Sequence, residues 1–353
     1  MVEWLLPTVA VSIPQNDAEK ARGMKSGRDL PALEVLQPTL DPELPEYHPR
    51  GARSLSGHFK AAASDVLPGL AKGWVTAFQA FYPNVRIDVD PPYAGSLGAT
   101  ELVKGKIDFV FVSRELRPDD VNGFHTAFGY DPLSVPVSGG SYRHYGFLDT
   151  VAFIVNKENP IERLSFDQLD SLYSTTHWRG GSGSRTWGDL GLTGDWADKP
   201  VHLYGVKPWN GFEEFIRQRV LSTNGRRGEW RTDITYAPTV FPLASNVVAD
   251  KYGISYDGVA YLDAPVKVIA LAATASGPFV TPSYENVATA AYPLSRLIYF
   301  NVNKAPGKPL APAEAEFLRF VLSRQGQAIV QKQNVFVPLR AAQARSSLAL
   351  LAR

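Results

Sequence analysis

Three short polar turns between residues 55 and 116 carry groups that could bind a small anion. The first turn contains Ser64 and Asp65, the second contains Ser96, and the third is Ser113-Arg114. Hydroxyl groups and the backbone N–H groups at helix starts bind anions, and a guanidinium group can hold an oxyanion through two parallel hydrogen bonds. These residue types therefore indicate a site for a small oxyanion.

Each of these turns lies beside a segment with the pattern of a strand or a helix. Apolar residues recur at helical spacing from Leu67 to Phe81, and Ser64 and Asp65 precede them as candidate N-caps. Residues 85–89 alternate like a strand, and residues 107–112 form a mostly apolar strand of the kind found in parallel sheets. Because ligands bind at the carboxyl ends of strands in open α/β sheets, we expect the turns to meet at one crevice.

Each turn also has a purely structural interpretation. Ser96 could serve only as a helix cap, and Arg114 could form a surface salt bridge. Asp65 is unfavourable beside an anion unless the anion is protonated and donates a hydrogen bond to the carboxylate. If the anion is not protonated, Asp65 should turn away and cap the helix. The residues alone leave these alternatives open.

The alternation of strands and helices continues along the chain and predicts an α/β protein with parallel or mixed sheets. Further strands are expected at 147–156, 201–206, 253–256, 266–271 and 294–302. Further helices are expected at 164–173, with Ser165 as its cap, and at 212–220, 243–252 and 313–330. Residues 1–54 are rich in proline, charge and turn formers, which predicts an extended arm that is either structural or docks a partner.

The composition excludes several classes of function. The 353 residues carry a net charge of +1 and no cysteine. A nearly neutral chain without a block of Lys or Arg argues against nucleic-acid binding, and the lack of cysteine excludes thiolate metal sites. The six histidines are scattered, and no hydrolase, P-loop or dinucleotide motif is present. We therefore expect no enzyme, cofactor or metal; phosphatase-like activity is the alternative, but no nucleophile–base pair is visible.

From Leu55 to Leu339 the sequence resembles the phosphate-binding proteins of ABC transporters, within the type II periplasmic binding-protein superfamily. The resemblance rests on the order and spacing of short motifs rather than on any single one. These motifs are Ala63-Ser64-Asp65, Gly95-Ser96-Leu97-Gly98, Asp108 through Ser113-Arg114, Val155-Asn156 with Asn159-Pro160, Trp187-Gly188-Asp189-Leu190, Tyr292-Pro293-Leu294-Ser295-Arg296, Leu322-Ser323 with Gly326-Gln327, and Val337-Pro338-Leu339.

The resemblance implies a two-lobe α/β fold with two hinge-crossing segments and a ligand held between the lobes. Residues 55–146 and 293–353 would form lobe one, and residues 147–292 would form lobe two. It further implies a periplasmic or secreted monomer that binds inorganic phosphate or a similar small anion, with an ABC-transporter membrane permease as its partner. In lobe one it assigns ligand binding to Ser64, Asp65, Ser96, Ser113 and Arg114.

Lobe two departs from the family pattern. The family usually has an Arg followed by Ser-Gly-Thr at the start of a helix, whereas this chain has Val206-Lys207-Pro208-Trp209-Asn210-Gly211-Phe212. The resemblance leaves Lys207, Asn210 and Gly211 as candidate contacts, with Lys207 supplying a point charge. Trp209 or Phe212 could instead recognise an organic group. A phosphorylated or carboxylated organic ligand is therefore the alternative to phosphate, and a non-transport interaction protein is a further one.

Overall fold

The computed structural model describes residues 11–12, 34–35, 38–89, 97–142, 148–208, 211–262 and 264–352. The chain forms two compact units. The first unit comprises Thr39–Gly140, Ala288–Ala290 and Arg296–Arg353, and the second comprises Ser141–Val287, Ala291–Ser295 and the described residues up to Pro38. Among the described residues, no helix has the length and apolar character that a membrane crossing requires.

Fourteen short strands build the sheets of the described chain. They are β1 (Val11–Ser12), β2 (Glu34–Val35), β3 (Gly57–Ala63), β4 (Val85–Val89), β5 (Phe109–Val112), β6 (Leu133–Gly139), β7 (Val151–Asn156), β8 (Arg163–Ser165), β9 (His202–Val206), β10 (Thr235–Ala237), β11 (Gly253–Gly258), β12 (Val266–Val268), β13 (Ala270–Ala272) and β14 (Leu297–Val302).

Ten α-helices accompany these strands in the described chain. They are α1 (Pro68–Phe81), α2 (Leu97–Val103), α3 (Pro118–Phe128), α4 (Phe166–Tyr173), α5 (Gly211–Ile216), α6 (Leu243–Ala249), α7 (Tyr284–Ala288), α8 (Pro312–Val321), α9 (Arg324–Lys332) and α10 (Ala341–Leu350). Helix α5 continues as a π-helical stretch over Arg217–Leu221.

The first unit is built on a mixed five-stranded sheet in the order β4-β3-β5-β14-β6. Strand β3 runs parallel to β4 and β5, whereas β14 runs antiparallel to β5 and β6. Helix α1 buries one face every three to four residues, as its apolar spacing predicts, and Trp74 on that face donates a hydrogen bond to the carbonyl oxygen of Gly326 (2.9 Å). The ring of Phe109 stacks on that of Phe300 at 4.6 Å, which joins β5 to β14 in the core.

Part of the segment before Leu55 also packs in the first unit. Leu44 and Tyr47 are buried. The Tyr47 hydroxyl lies 2.9 Å from that of Tyr82 and donates to Glu316 at 3.0 Å. Burial and these two neighbours raise the pKa of Tyr47 well above its usual range. The hydroxyl is therefore a fixed structural contact that anchors this segment to α8.

The second unit is built on another mixed five-stranded sheet, in the order β10-β9-β11-β7-β12. Strand β9 runs parallel to β10 and β11, and β7 runs antiparallel to β11 and β12. A separate parallel pair joins β13 to β8. The core contains large aromatic side chains that are almost fully buried, among them Phe153, Tyr173, Trp187 and Tyr256.

Two local expectations are wrong, and one is confirmed. Helix α1 begins at Pro68 after Leu67, and no side chain caps it, so Ser64 and Asp65 are not its N-caps. Pro68 at the first position has no N–H group that would need a partner. The strand expected at 266–271 is divided between β12 and β13, which belong to different sheets. Ser165 does cap α4, because its hydroxyl accepts a hydrogen bond from the N–H group of Gln168.

Candidate functional site

Two of the three predicted anion-binding turns lie together at one edge of the first unit's sheet. Strands β3 and β5 are parallel neighbours, with Ala63 opposite Phe111, so the residues that follow them meet at the same edge. Ser64 is 2% exposed, and its N–H group donates to the carbonyl oxygen of Phe111 (2.9 Å). The N–H group of Ser113 points at the Ser64 hydroxyl oxygen from 3.4 Å. One hydroxyl and its neighbouring backbone thus form a compact polar corner.

Arg114, the next residue, is held in place by Asp120 at the start of α3. Its guanidinium lies 3.3 Å from the Asp120 carboxylate and donates to the carbonyl oxygen of Glu115 at 2.7 Å. The Arg114 and Asp120 side chains are only 9% and 12% exposed. Asp120 also accepts the N–H group of Arg117 (3.0 Å), which belongs to the capping of α3. The ion pair is therefore nearly buried and is not the surface salt bridge considered from the sequence.

The first unit contains two further candidates, Asp65 and Ser96. Asp65 is exposed, directly after buried Ser64. Ser96 lies outside the described residues, and α2 begins immediately after it at Leu97. The structure thus brings together Ser64 and Ser113, followed by Arg114, and places Asp65 on the surface beside them.

In the second unit, Lys207 follows β9 at the carboxyl end of the strand. Its N–H group donates to the carbonyl oxygen of Ala237 (2.9 Å), which continues the parallel pairing of β9 with β10, and its side chain is exposed. The N–H group of Val206 donates to the hydroxyl oxygen of Tyr256 (3.3 Å). Burial raises the pKa of that hydroxyl, so it remains a neutral partner. These contacts hold the strand end from which the Lys207 ammonium projects.

Gly211 is the first residue of α5 and is exposed, whereas Asn210 lies outside the described residues. Helix α5 is anchored by Glu213, which is fully buried. Its carboxylate pairs with Arg217 and accepts the Trp230 indole N–H at 2.5 Å. Burial, and after it the Glu213 charge, raises the pKa of nearby Tyr236. Charge patterning predicts exposure for a residue such as Glu213, so sequence reasoning missed this anchor.

Phe212 is half-buried and packs within the second unit. Its ring meets the edge of Tyr261 with centroids 5.8 Å apart and planes at 87°. Trp209, the other aromatic residue considered for an organic ligand, lies outside the described residues. Within the described part of the chain, no three His, Asp or Glu residues are grouped in a way that could hold a metal ion.

Comparison with known proteins identifies the family. A family model described as a PBP superfamily domain matches residues 49–325. The phosphate-binding protein PstS of Pseudomonas aeruginosa is 37% identical over 311 residues, which cover 88% of this chain and 91% of that protein. The chain belongs to this family. Membership confirms the resemblance, the two-lobe α/β fold class and the expectation of a solute-binding protein rather than an enzyme.

Solved structures of the family share the fold at low sequence identity. PstS from Borrelia burgdorferi has a TM-score of 0.56 and 13% identity, covering 81% of this chain and 100% of that one. A possible phosphate binding protein from Planctomyces limnophilus has a TM-score of 0.51 and 21% identity, covering 85% of this chain and 99% of that one. At such identities the likeness supports the fold alone.

Proposed function

We propose that this protein captures phosphate or a related oxyanion outside the cytoplasm and delivers it to an ABC importer. The observation that carries the proposal is the polar corner at the ends of β3 and β5, where the N–H group of Ser113 lies 3.4 Å from the Ser64 hydroxyl and Arg114 follows. It occurs in a chain that is 37% identical to a protein named for phosphate binding.

Capture begins in the first unit. Ser64, Ser96 and Ser113 supply hydroxyl donors, and Arg114 supplies charge-assisted hydrogen bonds to the oxyanion. Asp120 acts on Arg114 as a positioning residue, because its carboxylate lies 3.3 Å from the guanidinium and restricts it. Asp65 accepts a hydrogen bond from the ligand when the ligand is protonated.

The second unit completes the site through Lys207, Asn210 and the backbone N–H group of Gly211. Contacts from these groups exclude water from the bound anion. Excluding water strengthens each charge-assisted hydrogen bond, because the effective dielectric constant falls. The functional context is a periplasmic or secreted monomer that docks on a membrane permease and uses no cofactor.

Isothermal titration of the protein with inorganic phosphate tests the proposal, with sulfate as a second oxyanion. The unmodified protein should bind phosphate saturably. Arg114→Ala should weaken binding by about 10- to 100-fold, the worth of one charge-assisted hydrogen bond. Ser64→Ala should weaken it as well while leaving the Arg114–Asp120 pair intact. Arg86→Ala is the matched control, since Arg86 is 70% exposed on strand β4.

Thermal melts of each variant separate lost binding from lost folding. If the unmodified protein gives no binding heat and no thermal shift at millimolar phosphate and sulfate, oxyanion capture is refuted. Equal affinities of Arg114→Ala, Ser64→Ala and Arg86→Ala would refute the assigned residues while leaving the function in place.

A further inference from the structure

A groove in the first unit lies between the segment before Leu55 and the C-terminal helices. It is lined by Pro45 and Tyr47 of that segment and by Leu348 and Leu351 at the end of α10. The groove encloses about 520 Å³, which is within the range of roughly 300–1,000 Å³ typical of small-molecule pockets. Its size and these apolar side chains suit an alkyl chain.

The lining also contains a buried carboxylate, Glu316 of α8, whose side chain is 5% exposed. Its Oε1 atom accepts a hydrogen bond from the Tyr47 hydroxyl at 3.0 Å. Its Oε2 atom pairs with Nη1 of Arg319 at 3.0 Å and with Nε of Arg50 at 3.4 Å. A cationic ligand would therefore find both oxygens of this carboxylate already occupied.

Arg319, which also lines the groove, keeps donors for a ligand. Its side chain is 47% exposed, and Glu316 holds it through Nη1. Because a guanidinium has five N–H donors, this pairing orients the group and leaves other donors facing solvent. Arg324 adds a guanidinium 3.6 Å from Glu46. With Arg50, three arginines thus share two carboxylates, which favours an anionic ligand.

The charge of the C-terminal region supports the same sign of ligand. Residues 296–353 contain nine Lys or Arg residues and only two acidic residues, Glu314 and Glu316. Both acidic residues are buried, with 8% and 3% exposure. The exposed charges of this region are therefore positive, although the chain as a whole is nearly neutral, and an excess of one sign attracts ligands of the opposite sign.

We propose that this groove binds a single-chain amphiphilic anion, such as a medium-chain carboxylate. The anionic head hydrogen-bonds to Arg319, and the alkyl chain lies against Leu348 and Leu351, where burial of apolar surface is favourable. The positive surroundings select the anion over a cationic amphiphile. The groove shares no residue with the polar corner at Ser64, so this ligand is bound in addition to the proposed oxyanion.

Isothermal titration with decanoate tests the inference. Excess inorganic phosphate is kept in the cell so that the proposed oxyanion site is occupied. Decanoate should bind saturably with one molecule per chain. Octanoate, which is two methylene groups shorter, should bind about 15-fold more weakly. The decyltrimethylammonium ion, with the same chain and the opposite charge, should not bind saturably.

Two pairs of variants test the residues. Arg319→Gln should weaken decanoate binding about tenfold, whereas Lys332→Gln, at an exposed position of α9 outside the groove, should not change it. Leu348→Gln should also weaken it, whereas Leu350→Gln, in the same turn of α10 but outside the groove, should not. All four variants should bind inorganic phosphate as the unmodified protein does, which shows that they are folded.

The outcomes separate this inference from the proposed function. Failure of decanoate to saturate, or equal effects within either pair of variants, would overturn the inference. Binding to phosphatidylglycerol vesicles without binding of monomeric decanoate would also overturn it, because the basic surface would then attract headgroups without filling the groove. A protein that binds decanoate but not inorganic phosphate would leave the inference standing and remove the proposed function.

Discussion

Replacing Glu314 with glutamine is expected to stabilise the protein above neutral pH and to leave its stability unchanged in acid. Glu314 lies in the first turn of α8 and is 8% exposed. Burial, followed by the negative charge of Asp108, raises the pKa of its carboxyl group from 4.5 to about 7, although a backbone hydrogen bond from Ala311 opposes the shift. The folded protein therefore favours the neutral carboxyl group.

The sign and size of the effect follow from linkage. Because the pKa of Glu314 is higher in the folded chain than in the unfolded one, its favourable contribution is fully present below pH 4.5. That contribution is lost as the pH rises to about 7, where the folded state must ionise a buried group. The difference between the two pKa values corresponds to a penalty of about 3 kcal/mol above neutrality. Glutamine has nearly the same shape and no charge to bury.

Urea unfolding of both proteins across pH 4 to 8 measures the effect. The free energy of unfolding of Glu314→Gln should equal that of the unmodified protein near pH 4 and exceed it by about 3 kcal/mol at pH 8. Glu43→Gln, at an exposed position of the same unit, should show no such divergence. Asp108→Asn should recover a smaller part of the gain. A constant difference across the pH range, or a gain that appears only in acid, would refute the reasoning.

Two further predictions concern stability. Asp120→Ala should lower the free energy of unfolding by about 3 kcal/mol, because it leaves the nearly buried Arg114 guanidinium without its ion pair. Asp120→Asn should lower it less, since the amide oxygen can still accept a hydrogen bond from the Arg117 N–H group. Equal losses for the two variants in urea unfolding would contradict this. Gly326→Ala should cost about 3 kcal/mol, since its Cβ would lie 2.2 Å from the Phe320 carbonyl oxygen. Gly51→Ala is the control, since no atom lies within 4 Å of the added Cβ. Similar thermal midpoints for Gly326→Ala and Gly51→Ala would show that the structure around Gly326 relaxes.

The corner at Ser64 and Ser113 could be predicted because its signal is local. Each serine directly follows an apolar run, and two such runs in parallel register place their ends together. The role of Ser64 as a helix cap was predicted from equally local signals and is wrong. Its N–H group pairs with the carbonyl oxygen of Phe111, a residue 47 positions away, and no local pattern indicates that partner.

The partners of charged groups could not be predicted, since they depend on packing. Asp120 lies six residues beyond Arg114, and nothing in that spacing indicates a pair that is about one tenth exposed. Glu213 has an i,i+4 partner in Arg217, a spacing typical of exposed helix faces. The burial of Glu213 can be recognised only from its contact with Trp230, whose indole N–H donates a hydrogen bond to the Glu213 carboxylate.

The proposed ligand contacts of the two units differ in how firmly the structure around them holds them. In the first unit, the polar corner at Ser64 follows from the parallel pairing of β3 with β5, and the paired residues of both strands are buried. The geometry of the corner is therefore tied to the stability of the sheet. In the second unit, Lys207 and Gly211 are exposed and α5 is anchored through Glu213 instead, so these two positions can vary without disturbing the anchor.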